Sequence, residues 1–320
     1  MEKRKLIIAQ NLHKELVSAI EEIIPEWDLI VGKEKSIWQD HLQDAEIIAG
    51  WQKDMAENVL ADHTKLRWIQ SWSAGINNMP LEDFKSRKIL LTSANGVHSF
   101  PISETIFALM LGLTRKIHTY VRNQQTKKWH HSGLRLELHG KTMGLFGVGA
   151  IGRETAKIAK AFGMNVLGFR RSGETEDYVD KIYTLEQMND VLPQCDYVVV
   201  TLPLTNETKQ LFGKEQFKRM KPSSFFINIG RGDLVVESEL IQALQDDKIA
   251  GAGLDVFEKE PLSEDNPLWE LENVIITPHT AGSTEHYDHR VIEDIFIPNL
   301  KSYLQNEELP INLVDYLKGY

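Results

Sequence analysis

Cysteine is nearly absent, with Cys195 the single one in 320 residues. One thiol can form neither an intrachain disulfide nor a thiolate metal cluster, which excludes a disulfide-built secreted scaffold and points to a reducing, cytoplasmic compartment. Long hydrophobic runs are missing too. After Glu2-Lys3-Arg4-Lys5 the apolar run Leu6-Ile7-Ile8-Ala9 is too short for a signal-peptide core or a membrane span. It reads as a buried first strand, with no cleaved leader and no membrane partner expected. Positive charge is also scarce: 36 Lys and Arg against 46 Asp and Glu give a formal net charge of -10. Affinity for a polyanion comes mainly from cations that neutralise phosphates, so no nucleic-acid partner is expected. Any anionic ligand needs a local basic site.

What is present is ordinary globular material, 42% hydrophobic and 26% charged, in a chain long enough for two domains. The first third alternates short apolar runs (KLIIA, DLIVG, EIIAGW, LRWIQSW, KILLTSA) with amphipathic stretches at Asn11 to Ile24 and Met55 to His63. Such alternation implies parallel strands joined by crossover helices. From Pro101 to about Trp129 the pattern is one long helical segment, a connector between two lobes. A second series follows (TMGLFG, NVLGF, CDYVVVTL, SFFINIG, GAGLDVF, NVIITP), after which the Tyr287 to Leu300 stretch is expected to fold back on the first lobe. The expected fold class is α/β, with two doubly wound parallel-sheet domains. Residues 1–99 with 288–320 are expected to form one domain, and 100–287 the other.

In the second series, strand, glycine turn and helix come in the order Thr142 to Phe146, Gly147-Val148-Gly149-Ala150-Ile151-Gly152, Arg153 to Ala159. Gly147 permits a tight turn, Gly149 a close approach to a pyrophosphate, and Gly152 close packing of helix on strand. A plain turn or a methyltransferase loop would give the same glycines. The next strand ends in Arg170-Arg171-Ser172, where an Asp or Glu would normally take the adenosine ribose hydroxyls. Two guanidiniums and a hydroxyl suit a 2′-phosphate, which favours NADP over NAD, although both arginines would also serve as surface charges.

Three further segments stand at strand ends: Asn228 to Asp233, Leu254 to Leu262 and Thr277 to Thr284. With GVGAIG, INIGRG, LDVFEKEPL and TPHTAGST in order, the chain resembles the D-isomer-specific 2-hydroxyacid dehydrogenase family from about Trp51 to Ser283. The family includes glyoxylate/hydroxypyruvate reductases and phosphoglycerate dehydrogenases. The resemblance implies a Rossmann cofactor domain inserted into a flavodoxin-like substrate domain, a homodimer, and hydride transfer between NAD(P) and a small 2-oxo or 2-hydroxy acid. It puts Arg231 on the substrate, His279 as acid/base and Glu260 as its partner. Cofactor contacts fall on Gly147, Gly149, Ala150, Ile151, Gly152, Arg170, Arg171, Ser172, Leu202, Pro203, Thr208, Ile229, Gly230, Asp255, Ala281 and Gly282. An ordinary strand-end carboxylate is the other reading of Asp255.

The chemistry requires these residue types. Hydride delivered to C2 leaves charge on the carbonyl oxygen, so a proton must arrive as it develops. An imidazole can give it, a neighbouring carboxylate orients and stabilises the imidazolium, and a guanidinium holds the substrate carboxylate. In the first lobe Ser71 to Asn77 resembles the family's loop for that carboxylate, which assigns substrate contact to Ala74, Gly75 and Ile76. Trp51 and Trp72 line the pocket or belong to the core, and His98 reads as structural. His130, His131, His139, His286 and His289 lack acidic companions at metal-ligand spacing, so no metal is expected. The alternatives are a dinucleotide-sensing binding protein of the same fold with little turnover, and a formate dehydrogenase of the same superfamily. No appended regulatory domain is expected.

Overall fold

The computed structural model describes residues 3–76, 79–131 and 133–316. They form two compact units, Met1–Val97 with Thr284–Tyr320, and His98–Ser283.

The first unit holds β1 (Lys5–Ile8), β2 (Asp28–Val31), β3 (Ile47–Ala49), β4 (Trp68–Gln70) and β5 (Leu90–Thr92). All pair in parallel in the order β2-β1-β3-β4-β5, the flavodoxin-like order. Both faces of such a sheet are covered, which is why its strands are apolar runs without alternation. Period-two side chains then split between two cores. Ile7, Ile48, Ile69 and Leu91 pack with Trp38 and Phe84 on one face. Leu6, Ile8, Ile47 and Trp68 pack on the other, with Leu16 and Ile20 of the helix Lys14–Ile23 and with Ile292, Phe296 and Leu300 near the C-terminus. Trp68 stacks on Phe296 at 5.1 Å between ring centroids. Each such side chain contributes about 1.5–3 kcal/mol by leaving water.

The second unit holds β6 (Thr142–Phe146), β7 (Asn165–Phe169), β8 (Lys181–Tyr183), β9 (Tyr197–Val200), β10 (Phe225–Asn228), β11 (Gly251–Leu254) and β12 (Val274–Ile276). Their order is β12-β11-β10-β9-β6-β7-β8, parallel throughout. Strand order reverses at the β6/β9 boundary, the place where a doubly wound sheet opens a crevice for a ligand.

Three details differ from the sequence reading. The long helical segment is two helices, Ser99–Thr114 and Ile117–Gln125, broken where Lys116 turns left-handed at φ 54°. Both belong to the second unit, and the first carries buried Ile106, Phe107, Leu109, Met110 and Leu113, so it is a core element of that unit. The Met55 to His63 stretch gives only a short α-helix, Ala56–Val59. β8 was not foreseen, because Lys-Ile-Tyr is too short and too polar to stand out from a loop. Among the described residues no helix is long and apolar enough to cross a membrane, and no group of three or more His, Cys, Asp or Glu could hold a metal.

Candidate active site

Parallel strands deliver their carboxyl ends to one edge of the sheet, so the loops leaving β6, β7, β9, β10, β11 and β12 share that edge. From β6 the chain turns through Gly147, at φ 110°, into the helix Ala150–Ala161. A Cβ on Gly147 would press on Thr201 Oγ1 at 2.8 Å, and one on Gly152 would collide with the Gly147 carbonyl oxygen. The Thr201 hydroxyl donates to that same carbonyl at 2.6 Å and fixes the turn. A Cβ on Gly149, by contrast, would meet nothing within 4 Å. The helix start at Ala150 and Ile151 thus offers amides without intrahelical acceptors beside open space, which fits a dinucleotide pyrophosphate.

The β7 turn lies alongside, tied by the Gly147 N–H donating to the Phe169 carbonyl at 3.1 Å. Here the strand-end reading needs a correction. It counted two guanidiniums and no carboxylate, but Arg170 Nη1 donates to Glu176 Oε2 at 3.1 Å and its Nη2 lies 3.8 Å from Glu174 Oε2. The Ser172 hydroxyl donates to Glu174 Oε2 at 3.3 Å, and Arg153 Nη1 stands 3.9 Å from Glu176 Oε2. Arg171 is exposed. The signal was available in Glu174-Thr175-Glu176, two residues beyond Ser172. After β9, Leu202 is half-buried and Pro203 exposed, while the buried Thr208 donates to the Pro203 carbonyl at 2.8 Å and accepts from Thr205 N–H at 2.8 Å, closing the loop on itself.

Arg231, Glu260 and His279 come from the three remaining loops. Buried Asn228 shapes the first: its Oδ1 accepts from Gly230 N–H at 3.0 Å and its Nδ2 donates to the Arg231 carbonyl at 3.1 Å. Ile229 and Gly230 are buried while Arg231 is exposed, its Nη1 donating to the Gly230 carbonyl at 2.7 Å. Asp255, only 1% exposed, holds the last loop: one oxygen accepts from Thr277 Oγ1 at 2.6 Å and Thr280 N–H at 2.9 Å, the other from Ala281 N–H at 3.0 Å. Its visible work is to fix the backbone around His279, which takes a left-handed φ of 53°. Gly282 is held by His98, whose Nδ1 lies 2.8 Å from its carbonyl oxygen. The sequence reading gave His98 a structural role without naming this contact.

His279 Nδ1 lies 2.6 Å from Glu260 Oε2, and Glu260 Oε1 accepts from Phe257 N–H at 3.0 Å. Burial pushes the Glu260 carboxyl up, but the hydrogen bonds from His279 and Phe257 and the charges of His279 and Arg231 outweigh it, so the group sits below its ordinary range. His279 and Glu260 are in direct contact, and Arg231 follows the adjacent strand β10 at the same edge of the sheet.

In the first unit, Ala74 and Gly75 are exposed after β4, in a turn where Ser73 N–H donates to Ser71 Oγ at 3.0 Å. Ile76 is buried, and Asn77 lies outside the described residues. Trp51 is half-buried, edge-on to Phe84 at 5.1 Å, and Trp72 Nε1 donates to Asp288 at 3.0 Å, so each tryptophan is anchored in its own unit.

The family model described as D-isomer specific 2-hydroxyacid dehydrogenase, NAD binding domain, matches residues 107–281. The chain belongs to this family. Among its relatives, a glyoxylate/hydroxypyruvate reductase B of Salmonella schwarzengrund is 37% identical over 82% of both chains. A glyoxylate reductase of Korarchaeum cryptofilum is 31% identical over 98% of this chain and 96% of its own. A D-3-phosphoglycerate dehydrogenase of Methanocaldococcus jannaschii is 30% identical, and this chain spans 58% of its length. A D-isomer specific 2-hydroxyacid dehydrogenase family protein from Aeromonas salmonicida superposes with a TM-score of 0.82 at 32% identity, covering 98% of this chain and 100% of that one. An NADPH-dependent glyoxylate/hydroxypyruvate reductase from Sinorhizobium meliloti, in complex with NADP and sulfate, gives 0.79 at 25% identity, covering 99% and 100%. The matched model describes an NAD binding domain, and the glycine turn with its open space over Gly149 lies within the matched residues.

Proposed function

We propose that this chain reduces small 2-oxo acids to D-2-hydroxy acids with NADPH, and with NADH less well, using Arg231, Glu260 and His279 as the catalytic set. The observation that carries the reading is the 2.6 Å contact between His279 Nδ1 and Glu260 Oε2, with Arg231 acting on the same carboxylate. With Nδ1 turned to the carboxylate, Nε2 is the ring nitrogen left to face a substrate. The imidazolium gives its Nε2 proton to the carbonyl oxygen as charge develops there, and Glu260 stabilises the cation beforehand. Arg231 takes the substrate carboxylate by paired hydrogen bonds and polarises the carbonyl. The bound dinucleotide supplies the hydride.

Gly147, Gly149, Ala150, Ile151 and Gly152 hold the pyrophosphate in this reading, and Arg170, Arg171 and Ser172 take the adenosine end. Leu202, Pro203, Thr208, Ile229, Gly230, Ala281 and Gly282 shape the nicotinamide side, with Asp255 acting through the loop it clamps. Ala74, Gly75, Ile76 and Trp51 are assigned to substrate. Residues 1–99 with 288–320 serve as the substrate-binding domain and 100–287 as the dinucleotide-binding domain. The NADP preference, supported by a relative whose structure holds NADP, belongs to the same proposal, as do a cytoplasmic location and a homodimer.

The test is initial-rate oxidation of NADPH and NADH against about a dozen 2-oxo acids, including glyoxylate and hydroxypyruvate. Turnover that His279→Gln reduces by about a hundredfold or more is expected for loss of a general acid. Absence of cofactor oxidation across the panel contradicts the reading, and dinucleotide binding without turnover would mark a sensor instead.

A further inference from the structure

At the adenosine end of the site, an arginine expected to receive a 2′-phosphate is already paired. Arg170 Nη1 donates to Glu176 Oε2 at 3.1 Å, and Arg153 approaches the same oxygen at 3.9 Å. The Glu176 side chain is only 17% exposed, against 71% for Glu174, so Glu176 is the carboxylate that solvent screens less. Two arginines and two glutamates leave no net charge among the four groups joined at this turn.

We propose that Glu176 is a specificity-determining residue that blunts the preference for NADPH by holding Arg170 in an ion pair. The inference rests on the reading that Arg170 faces the 2′-phosphate. A 2′-phosphate entering this turn must share Arg170 with a carboxylate and stand near that carboxylate's negative charge, which costs part of the attraction a bare guanidinium would offer. The adenosine ribose of NADH is neutral and meets no such opposition; its hydroxyls can donate to a carboxylate. One turn thus carries the recognition group for each dinucleotide, cations for the phosphate and acids for the diol. Neither ligand gains the full discrimination that a single charge type would give.

The test is calorimetric binding of adenosine 2′,5′-bisphosphate and adenosine 5′-monophosphate to the full chain, with NADPH and NADH kinetics alongside. In Glu176→Gln the ratio of the two affinities should move toward the bisphosphate by about three- to fivefold, the size of one partly exposed ion pair. The NADPH-to-NADH ratio of kcat/KM should follow through KM. In Arg170→Ala both ratios should fall. If Arg170→Ala lowers the ratios while Glu176→Gln leaves them unmoved or lowers them, the role of Glu176 is overturned and the reading of Arg170 stands. If Arg170→Ala changes neither ratio, the phosphate is not read there and both ideas fall.

Discussion

Glu46 shows how single groups in this chain are tuned by what they touch. Burial pushes its carboxyl up, but Arg4 Nε donating at 2.8 Å, the Tyr303 hydroxyl donating at 2.7 Å, and the charges of Arg4 and Arg67 bring it below its ordinary value of 4.5. A folded-state value below the unfolded one adds stability that is complete above the unfolded value and disappears as pH falls through the folded one. Thermal melts of the native chain and of Glu46→Gln should therefore differ near neutral pH and converge in acid below the ordinary glutamate range. A difference that persists there would assign the effect to packing. Cys195 is tuned the other way: burial raises its thiol to about 12, so a thiol reagent at neutral pH should label the chain only after denaturation. Labelling of native protein at the rate of a free thiol would contradict this.

The β6 turn and its helix are the element whose sequence most tightly constrains its geometry. Gly152→Ala sets a methyl group against the Gly147 carbonyl oxygen, so strand and helix must separate. The expected cost is about 1–3 kcal/mol of stability together with loss of dinucleotide binding, read by thermal shift and by NADPH fluorescence. Gly149→Ala has room for its methyl group in the protein and should weaken only binding. At this scale the sequence was most legible where spacing itself carries the geometry. The glycine turn and the buried parallel strands needed no long-range information, since apolar runs and glycine positions report local geometry directly. The break at Lys116 and the strand Lys181–Tyr183 were hidden, because a single left-handed residue and a three-residue edge strand leave no periodic trace. The pairing of Arg170 with Glu176 was missed for a different reason: six residues apart across a turn, the two meet only once the backbone reverses.

For the whole molecule, the strand order of the second unit places the family's motifs at one edge of its sheet, and family membership follows from a matched region that takes in the first three motifs whole and the last as far as Ala281. The proposed catalytic trio rests on four ordered motifs in the sequence, whereas the clamp by Asp255 on the His279 loop was not legible there, because backbone amides leave no mark in a sequence. In the proposed reaction His279 and Glu260 act as one device. The most direct measurement is a double-mutant cycle on kcat for a 2-oxo acid with NADPH, using His279→Gln, Glu260→Gln and the double variant. If Glu260 works through the imidazole, the double variant should be no more than about twofold slower than His279→Gln alone. Losses that multiply, each substitution costing as much in the other's background as in the native chain, would mean that the two residues act independently and that the 2.6 Å contact is incidental to the chemistry.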